Sequence, residues 1–249
     1  MTLHITDLSV RIPLPDGDVV EAVRNASLVA LRNRVHYIVG GSGSGKSTLL
    51  DAVSGLLPDA AIVSGEITTG DPQRVLGRDI GVVPQSPTTS FTPIRRLGSQ
   101  LSEVVRYLDG KRTPEELLEL VELEPDVLRR YPFELSGGMA QRAAIATALA
   151  GDPAILIADE PTASLDPHLA LAVLTMLTNL AETGRVVVVA THDIAAVRKA
   201  AVDGEADVSV MCDAHIVERG SIRRVFDDPT HTYTQNLLAA SNFRLGAAR

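Results

Sequence analysis

The sequence predicts an α/β fold, in which helices connect the strands of a parallel β-sheet, and two observations carry the prediction. Apolar segments with the length of buried strands lie at Val35–Val39, Ala154–Ala158 and Val186–Ala190. Segments with helical patterning follow the second and third of these, at Pro167–Glu182 and Asp193–Val202. Strands that alternate with helices favour a parallel sheet with crossover connections. At 249 residues, the chain is long enough for one large domain of this class.

Two further regions complete the predicted architecture. The alternating segments LHITDLSVRI and VVEAVRNASLVAL flank a turn at Pro15–Gly17, which predicts an antiparallel β-subdomain at the N-terminus. The middle of the chain has helical periodicity in LGSQLSEVVRYL and TPEELLELVEL, where Thr113 and Glu116 form a capping box. We therefore expect a single domain over 1–249. Its parts are a core at 1–85 and 152–225, an inserted helical subdomain at 86–151, and a C-terminal tail at 226–249 that frays from Asn242.

Composition and charge exclude several classes of protein. The net charge of −8 disfavours nucleic acid as the main partner, because contacts with phosphates dominate that affinity. The one cysteine, Cys212, cannot form an internal disulfide bond, and no Cys/His spacing indicates a zinc or iron–sulfur site. Asp7 and two prolines, Pro13 and Pro15, interrupt the region where a signal peptide needs an apolar stretch. No apolar run approaches the roughly 20 residues that span a bilayer. We therefore expect a soluble chain that reaches a membrane only through a partner.

A glycine-rich motif follows the predicted strand at Val35–Val39. Residues 40–48 fit the pattern G-x-x-x-x-G-K-[ST], with a further threonine. They are Gly40, Gly41, Ser42, Gly43, Ser44, Gly45, Lys46, Ser47 and Thr48. Glycines allow backbone N–H groups to turn towards phosphate oxygens, and the following helix points its positive end at the same charge. Lys46 is expected to reach the β- and γ-phosphates, and Ser47 to bind Mg²⁺. The motif predicts a P-loop nucleotide site.

Two acidic residues end the predicted strand at Ala154–Ala158. Buried strands seldom end in paired carboxylates unless a cation or a reaction uses them. Asp159 is expected to hold Mg²⁺, typically through water, whereas Glu160 points elsewhere because side chains alternate along a strand. Glu160 is well placed to polarise the water that attacks the γ-phosphate. The pair therefore predicts nucleotide hydrolysis.

The stretch LSGGMAQR, at Leu135–Arg142, places two glycines at the start of a predicted helix. Packing rarely requires glycines there, and their helix propensity is low. With the two motifs above, this stretch resembles the ATPase subunits of ABC transporters. Six ordered motifs carry the resemblance over essentially the whole chain. They are Walker A at Gly40–Thr48, a Q-loop glutamine at Gln85, the signature at Leu135–Gln141, Walker B at Ala154–Glu160, a D-loop at Ser164–Asp166 and a switch histidine at His192.

The resemblance implies a P-loop NTPase (RecA-like) core with an N-terminal antiparallel β-subdomain and an inserted α-helical subdomain. It also implies ATP and Mg²⁺ as cofactors, and a head-to-tail dimer in which one subunit's signature faces ATP on the other's P-loop. Ser136 and the N–H groups of Gly137 and Gly138 would then contact the γ-phosphate in trans. Gln85 would contact Mg²⁺ or water, and His192 would contact the γ-phosphate and orient the attack.

The chain departs from the family's pattern at three places. Gly41 occupies a position that often holds a bulkier residue, and we expect it to loosen the loop. Met139 replaces the usual signature glutamine, a change that is common in one branch of the family. The family usually stacks adenine on an aromatic residue before the first turn, but Ile12–Leu14 contains none. Adenine is expected to rest on Leu14 or Ile12 instead, which predicts weaker discrimination between bases.

The sequence also resembles the ATPases of dipeptide, oligopeptide and nickel importers. The resemblance lies in Pro15–Val19, Tyr131–Glu134, Gly138–Arg142 and Asp228–Thr234. The cysteine-bearing C-terminal extension of the longer peptide-importer subunits is missing, which favours the shorter type found with nickel and metallophore importers. The resemblance implies an importer subunit for a small solute, bound peripherally at the cytoplasmic face of the inner membrane. Its partners would be two permease subunits, a second ATP-binding subunit, identical or different, and an extracellular solute-binding protein.

The segment Gln85–Pro93 is expected to receive a helix of the permease. Phe91 either anchors that contact or packs within the helical subdomain, and the sequence leaves both interpretations open. One alternative function is a soluble ABC-type ATPase of DNA repair or chromosome maintenance. Such proteins need zinc modules, long coiled-coil insertions or basic grooves, and the sequence shows none of these. An exporter ATPase is the other alternative.

Overall fold

The computed structural model describes residues 2–69, 76–201 and 206–246, which form two β-sheets with helices packed around them. The strands are β1 (Leu3–Pro13), β2 (Val19–Ala30), β3 (Arg34–Gly40), β4 (Ile62–Thr68), β5 (Ile80–Val83), β6 (Ile155–Asp159), β7 (Val186–Thr191), β8 (Asp207–Cys212) and β9 (His215–Ser221). The α-helices are α1 (Lys46–Ser54), α2 (Leu97–Tyr107), α3 (Pro114–Leu120), α4 (Gly137–Ala148), α5 (Pro167–Glu182), α6 (Ile194–Ala200), α7 (Ile222–Asp227) and α8 (Thr232–Gly246). Short 3₁₀ turns lie at Pro87–Ser90, Pro125–Arg129 and Pro132–Glu134.

The larger sheet has the strand order β5-β6-β7-β3-β8-β9. Its pairs are parallel from β5 to β8, and β9 pairs antiparallel with β8. The parallel sheet predicted from the strand–helix alternation is therefore confirmed, with an antiparallel strand at one edge. The carboxyl ends of β3, β6 and β7 lie at the same edge of this sheet, because their register aligns Val35 with Val187 and Leu156 with Val187.

Two apolar cores cover the two faces of this sheet, which explains why its strands are continuously apolar. Alternate residues of β3 belong to different cores: Tyr37 and Val39 pack on the side of α5 and the inserted helices, and Ile38 packs on the side of α1. The second core also receives Leu3 and Leu8 from the smaller sheet. The small sheet is thus attached to the large one through α1 and shared apolar packing.

The smaller sheet has the order β2-β1-β4 and is antiparallel, as predicted for the N-terminus. Its third strand, β4, is not predicted by the sequence analysis. Most of β4 is exposed, and Gly65 interrupts its pattern with a φ of 94°. A Cβ at Gly65 would lie 2.4 Å from the carbonyl oxygen of Asp7, so the close approach of β1 requires glycine there.

The helices α2, α3 and α4 lie between β5 and β6 in the chain, as expected for an inserted helical region. The capping box of Thr113 and Glu116 is present at the start of α3 and confirms that prediction. Phe91 is 6% exposed and packs in the larger core. Its position agrees with the interpretation that it packs within the helical subdomain. The exact bounds proposed for the core, the helical subdomain and the tail remain predictions.

The end of the chain differs from expectation in two ways. The strands β8 and β9 and the helix α7 are not predicted, and α8 continues to Gly246. The predicted fraying from Asn242 remains a prediction. The helix predicted to end at Val202 ends at Ala200, and Val202 lies outside the described residues. No helix within 2–69, 76–201 and 206–246 is long and apolar enough to cross a bilayer.

Candidate nucleotide site

The glycine-rich loop runs from the carboxyl end of β3 into the first turn of α1, as the motif requires. Gly43 and Gly45 have φ values of 76° and 100°, which favour glycine. At Gly45, a Cβ would also lie 2.2 Å from the carbonyl oxygen of Ala22. The loop is therefore shaped by conformations and close contacts that other residues do not tolerate.

A cavity of about 570 Å³ lies against this loop. Residues 43–48 form one wall, and apolar side chains of β1, β2 and their connecting turn form another. The apolar wall includes Ile12, Leu14 and Val20. The structure thus brings both aliphatic residues expected to contact adenine to the P-loop cavity, and the weaker base discrimination remains a prediction.

Lys46 is buried beside the loop. Its Nζ donates hydrogen bonds to the carbonyl oxygens of Gly40 at 3.0 Å and Gly41 at 2.9 Å. It also lies 3.8 Å from Oε1 of Glu160. Burial lowers the pKa of Lys46, while the nearby carboxylates of Glu160 and Asp159 oppose that effect. The ammonium group is therefore held at the loop by protein acceptors and is largely shielded from water.

Asp159 ends β6 and faces Ser47. Burial raises the pKa of Asp159 above its ordinary value, although a hydrogen bond with the Ser47 side chain partly opposes this effect. Its Oδ1 is buried and has no hydrogen-bond partner among the described residues. A buried carboxylate oxygen without a partner, beside a hydroxyl group, offers two oxygen ligands of the kind that Mg²⁺ prefers. The residues present therefore fit the cation that the sequence predicts at Ser47 and Asp159.

Glu160 lies between Lys46 and His192. Its Oε2 is 2.8 Å from Nδ1 of His192 and also accepts the backbone N–H of His192 at 3.3 Å. The residue is 9% exposed, and its φ of 46° is uncommon for a residue other than glycine. Strain of this kind is often stored at functional sites. Lys46, Glu160 and His192 thus form one cluster at the carboxyl edge of the sheet.

His192 follows β7 and is 56% exposed at its side chain. Its neighbour Asp193 accepts the N–H of Ala196 at 2.9 Å and caps α6. Asp193 therefore has a structural role in the helix, and Glu160 is the carboxylate that contacts His192. The sequence placed Asp193 beside His192 but gave no sign of the pairing with Glu160.

Gln85 lies just beyond β5 and is exposed. Val83 of β5 pairs with Ala158 of β6, and both Gln85 and Glu160 come two residues after that pair. The glutamine is therefore at the same edge of the sheet as the two acids.

The signature stretch begins α4 at Gly137, with Ser136 as the N-cap. The Ser136 hydroxyl accepts the N–H of Met139 at 3.3 Å, and both Ser136 and Gly137 are exposed. Gly138 is buried, and a Cβ there would lie 3.1 Å from the Leu169 side chain. A larger residue at position 138 would therefore require the Leu169 side chain to shift by a few tenths of an ångström. Among the described residues, the wall of the P-loop cavity includes none from α4.

Two contacts with the loop were missed by sequence reasoning. The N–H of Ala214, in the turn between β8 and β9, donates to the carbonyl oxygen of Ser44 at 3.2 Å. The hydroxyl of Tyr233, on α8, accepts the N–H of Gly41 at 2.9 Å. The only signal for the second was the resemblance at Asp228–Thr234, which suggested no role for the tyrosine.

A P-loop on a parallel sheet, with a buried lysine and paired acids at the edge of that sheet, defines a nucleotide-binding protein of the P-loop NTPase class. Residues 23–163 match the family model described as ABC transporter. The chain belongs to the ABC transporter family, and the recognition made from its motifs is confirmed.

Its relatives include ATP-binding proteins whose names describe import or transport. The chain is 38% identical to the glutathione import ATP-binding protein GsiA of Salmonella typhi, over 94% of this chain and 41% of that protein. It is 35% identical to the oligopeptide transport ATP-binding protein OppD of Bacillus subtilis, over 96% of this chain and 71% of that protein. The chain thus spans less than half the length of GsiA.

A solved structure agrees with the fold. The dimeric post-hydrolysis structure of the ATP-binding cassette MJ0796, bound to ADP and Pi, superposes with a TM-score of 0.72 at 26% identity. The match covers 89% of this chain and 99% of that one. The predicted P-loop NTPase core with an antiparallel β-subdomain and inserted helices is therefore confirmed as the fold.

Proposed function

We propose that this chain is the ATP-hydrolysing subunit of a bacterial ABC importer for a small solute of the peptide, nickel or metal-chelate type. The observation that carries the proposal is the cluster of Lys46, Glu160 and His192 beside the P-loop cavity. The name of GsiA, which describes import, supports an importer over an exporter, and both names support a transporter over a DNA-repair ATPase. The two names give glutathione and oligopeptides as the solutes, and nickel rests on the family resemblance alone.

ATP would bind with its phosphates on the loop and its base on the apolar wall. The N–H groups of residues 43–48 and the start of α1 provide positive partial charge for the phosphates. Lys46 is already at the loop, and a phosphate oxygen would replace part of its lost hydration. The base would rest on Ile12, Leu14 and Val20, which provide apolar area without an aromatic ring.

Ser47 and Asp159 would hold Mg²⁺, and Gln85 would complete its surroundings directly or through water. When bound, Mg²⁺ neutralises charge on the β- and γ-phosphate oxygens. The unpartnered Oδ1 of Asp159 supports this assignment. The two protein oxygens leave room for phosphate oxygens and water, as is usual for magnesium sites.

Glu160 would act on the attacking water. Its carboxylate would accept a proton from the water while the water oxygen bonds to the γ-phosphorus and the bond to the leaving ADP breaks. His192 contacts Oε2 of Glu160, and its exposed side chain would contact the γ-phosphate as well. Lys46 Nζ lies 3.8 Å from the other carboxylate oxygen, and its positive charge would stabilise the negative charge of the transition state.

The signature of a second subunit would complete the site. Ser136 and Gly137 are exposed at the start of α4, and the described residues that line this chain's own P-loop cavity include none from that helix. A helix start with free N–H groups binds anions. We therefore infer a head-to-tail pair, with an identical or a different ATP-binding subunit, in which Ser136, Gly137 and Gly138 contact the γ-phosphate in trans. The dimeric MJ0796 cassette supports this arrangement.

Two permease subunits would bind on the inserted helices, and they would hold the chain at the cytoplasmic face of the inner membrane. A cavity of about 340 Å³ lies between the Pro87–Ser90 turn and α2, with Phe91, Val104 and Tyr107 among its walls. Phe91 forms its buried floor and Tyr107 is exposed at its rim. An extracellular solute-binding protein would select the solute.

The substitution Glu160→Gln tests the catalytic assignment. We expect ATP binding to persist and hydrolysis to fall at least 100-fold, because general-base catalysis contributes about 10² to 10⁴ in rate. ATP should then hold the variant as a closed dimer, which light scattering can detect. Glu182→Gln, on the exposed end of α5, is the matched control and should hydrolyse ATP like the wild type. Normal turnover in Glu160→Gln would contradict the assignment.

A further inference from the structure

The first peptide of the P-loop is held from both sides. This peptide joins Gly40 to Gly41, its N–H donates to the Tyr233 hydroxyl at 2.9 Å, and its carbonyl oxygen accepts from Lys46 Nζ at 3.0 Å. Because a trans peptide points its N–H and C=O in opposite directions, fixing one end fixes the direction of the other. The Tyr233 hydroxyl thus fixes the direction of the Gly40 carbonyl group, which accepts the hydrogen bond from Lys46.

The close approach of Tyr233 also explains the glycine at position 41. The φ of Gly41 is not in the left-handed region, so its backbone conformation does not require glycine. A Cβ at Gly41 would lie 3.2 Å from the Tyr233 hydroxyl oxygen, closer than an ordinary contact. The small residue at this position and the tyrosine therefore belong together.

Tyr233 lies in the first turn of α8, and hydrogen bonds to Glu218 hold the residues just before this helix. Glu218 of β9 accepts the N–H of Thr230 at 2.8 Å, the Thr230 hydroxyl at 2.9 Å and the N–H of His231 at 3.1 Å. Burial raises the pKa of Glu218, but hydrogen bonds to the residues around Thr230 outweigh it and lower the pKa to about 2. Thr234, next to the tyrosine, is fully buried. These contacts fix where α8 begins and hold the Tyr233 side chain against the loop.

We propose that Tyr233 is a positioning residue for the phosphate loop, which keeps the Gly40–Gly41 peptide and Lys46 ready for nucleotide before it binds. The inference rests on the proposed function, since it concerns the same nucleotide site. A loop that is correctly shaped only part of the time binds its ligand more weakly by that fraction. The tyrosine would therefore act on nucleotide affinity and leave the chemical step largely unchanged.

The test uses Tyr233→Phe, which keeps the ring and removes the hydroxyl. We expect the Kd for a non-hydrolysable ATP analogue and the KM for ATP to rise about 2- to 10-fold, the loss expected for one net hydrogen bond. The kcat should stay within about twofold of the wild type. The amide proton of Gly41 should exchange faster with solvent in the nucleotide-free protein, because its acceptor is gone.

Two further variants make the result decisive. Thr232→Val removes an exposed hydroxyl from the same turn of α8 and should leave Kd, KM and Gly41 exchange unchanged. Gly41→Ala should weaken binding by itself, through the contact with the hydroxyl, and add little in the Tyr233→Phe background. Effects of the two substitutions that add fully would overturn the coupling between Tyr233 and Gly41.

The outcomes separate this inference from the proposed function. Unchanged Kd, KM and Gly41 exchange in Tyr233→Phe, with an active wild type, would overturn the role of Tyr233 and leave the ATPase proposal intact. A wild-type protein that neither binds nor hydrolyses ATP would contradict the proposed function. Faster Gly41 exchange would support the structural part of the inference even then, because it is measured without nucleotide.

Discussion

At the scale of single residues, Glu160 connects the P-loop lysine with the histidine that follows β7. It is buried, its φ is 46°, and its two carboxylate oxygens contact different partners, Lys46 and His192. In a left-handed conformation the side chain leaves the direction that the strand would give it. The backbone therefore turns Glu160 away from the line of β6 and towards the lysine of the neighbouring loop. Asp159, which keeps the strand geometry, remains beside Ser47.

A second residue, the buried His36, is expected to make the stability of the protein depend on pH. His36 is 5% exposed in β3, and its Nε2 lies 2.9 Å from the Ser209 hydroxyl. Burial lowers its pKa from 6.5 to about 4. The unfolded chain therefore takes up a proton below pH 6.5 that the folded protein refuses until about pH 4, so stability falls as the pH drops through this window.

We expect His36→Gln to remove this dependence, because glutamine stays neutral and can still contact Ser209. Between pH 7.5 and 5, the free energy of unfolding of the wild type should fall by about 2 kcal/mol more than that of the variant. Urea unfolding at several pH values measures the difference. His4→Gln, at an exposed histidine, is the control and should follow the wild type. Parallel curves for the wild type and His36→Gln would contradict the prediction.

At the scale of elements, the sequence predicted those parts whose signals are local. The strands around Tyr37, Ile157 and Val188 are apolar runs, and helix α3 begins at a capping box, so each could be read from its own residues. The P-loop and the two acids of Walker B follow from strict motifs. What the structure adds to the site is the pairing of Glu160 with His192, which depends on the left-handed turn after Asp159 and cannot be read from spacing.

The hairpin of β8 and β9 shows why other elements were missed. Its two turn residues, Asp213 and Ala214, have φ values of 47° and 69°. Two-residue hairpins favour this conformation and usually mark it with Asn-Gly or Asp-Gly. Alanine at the second position removes that signal, although Ala214 contacts both the P-loop at Ser44 and the β2 strand at Arg24. The turn is thus held in place by tertiary contacts that only the structure reveals.

The attachment of α8 gives a prediction at this scale. Glu218→Gln should lower the free energy of unfolding by about 2 kcal/mol at pH 7, because hydrogen bonds to a charged group contribute about 1.5 to 3 kcal/mol. The pKa of Glu218 is about 2 in the folded protein and 4.5 in the unfolded chain. Its stabilisation is therefore present above pH 4.5 and lost as the pH falls from 4.5 towards 2.

Chemical denaturation and hydrogen exchange at residues 230–238 measure this effect. Exchange should increase most in α8, whereas Glu119→Gln, at an exposed glutamate of α3, should change neither quantity. A variant at Glu218 with wild-type stability and wild-type exchange in α8 would show that the glutamate does not anchor the helix.

At the scale of the whole molecule, the permease surface is the part of the proposal that most needs a direct test. Phe91 is buried, so a charged residue there would disturb the fold as well as any contact. Tyr107 is 85% exposed on the same cavity and can be changed without loss of packing. It is therefore the better probe of docking.

We expect Tyr107→Asp to reduce the permease that co-purifies with this chain about tenfold or more, because an exposed aromatic residue over an apolar cavity is typical of an interface hot spot. ATP binding by the isolated chain should not change. Val63→Asp places the same charge on an exposed apolar residue of β4 and should leave co-purification normal. Equal recovery of the permease with Tyr107→Asp would remove this cavity from the interface.

The bond between Gly41 and Tyr233 joins residues that are 192 positions apart in the chain. A ribosome makes the glycine long before it makes the tyrosine, and the motif therefore leaves the exit tunnel without the group that holds its first peptide. Contacts between such distant residues form late, because closing a long stretch of chain is entropically costly. With the role proposed for Tyr233, the loop would bind nucleotide at full affinity only after translation has passed this residue.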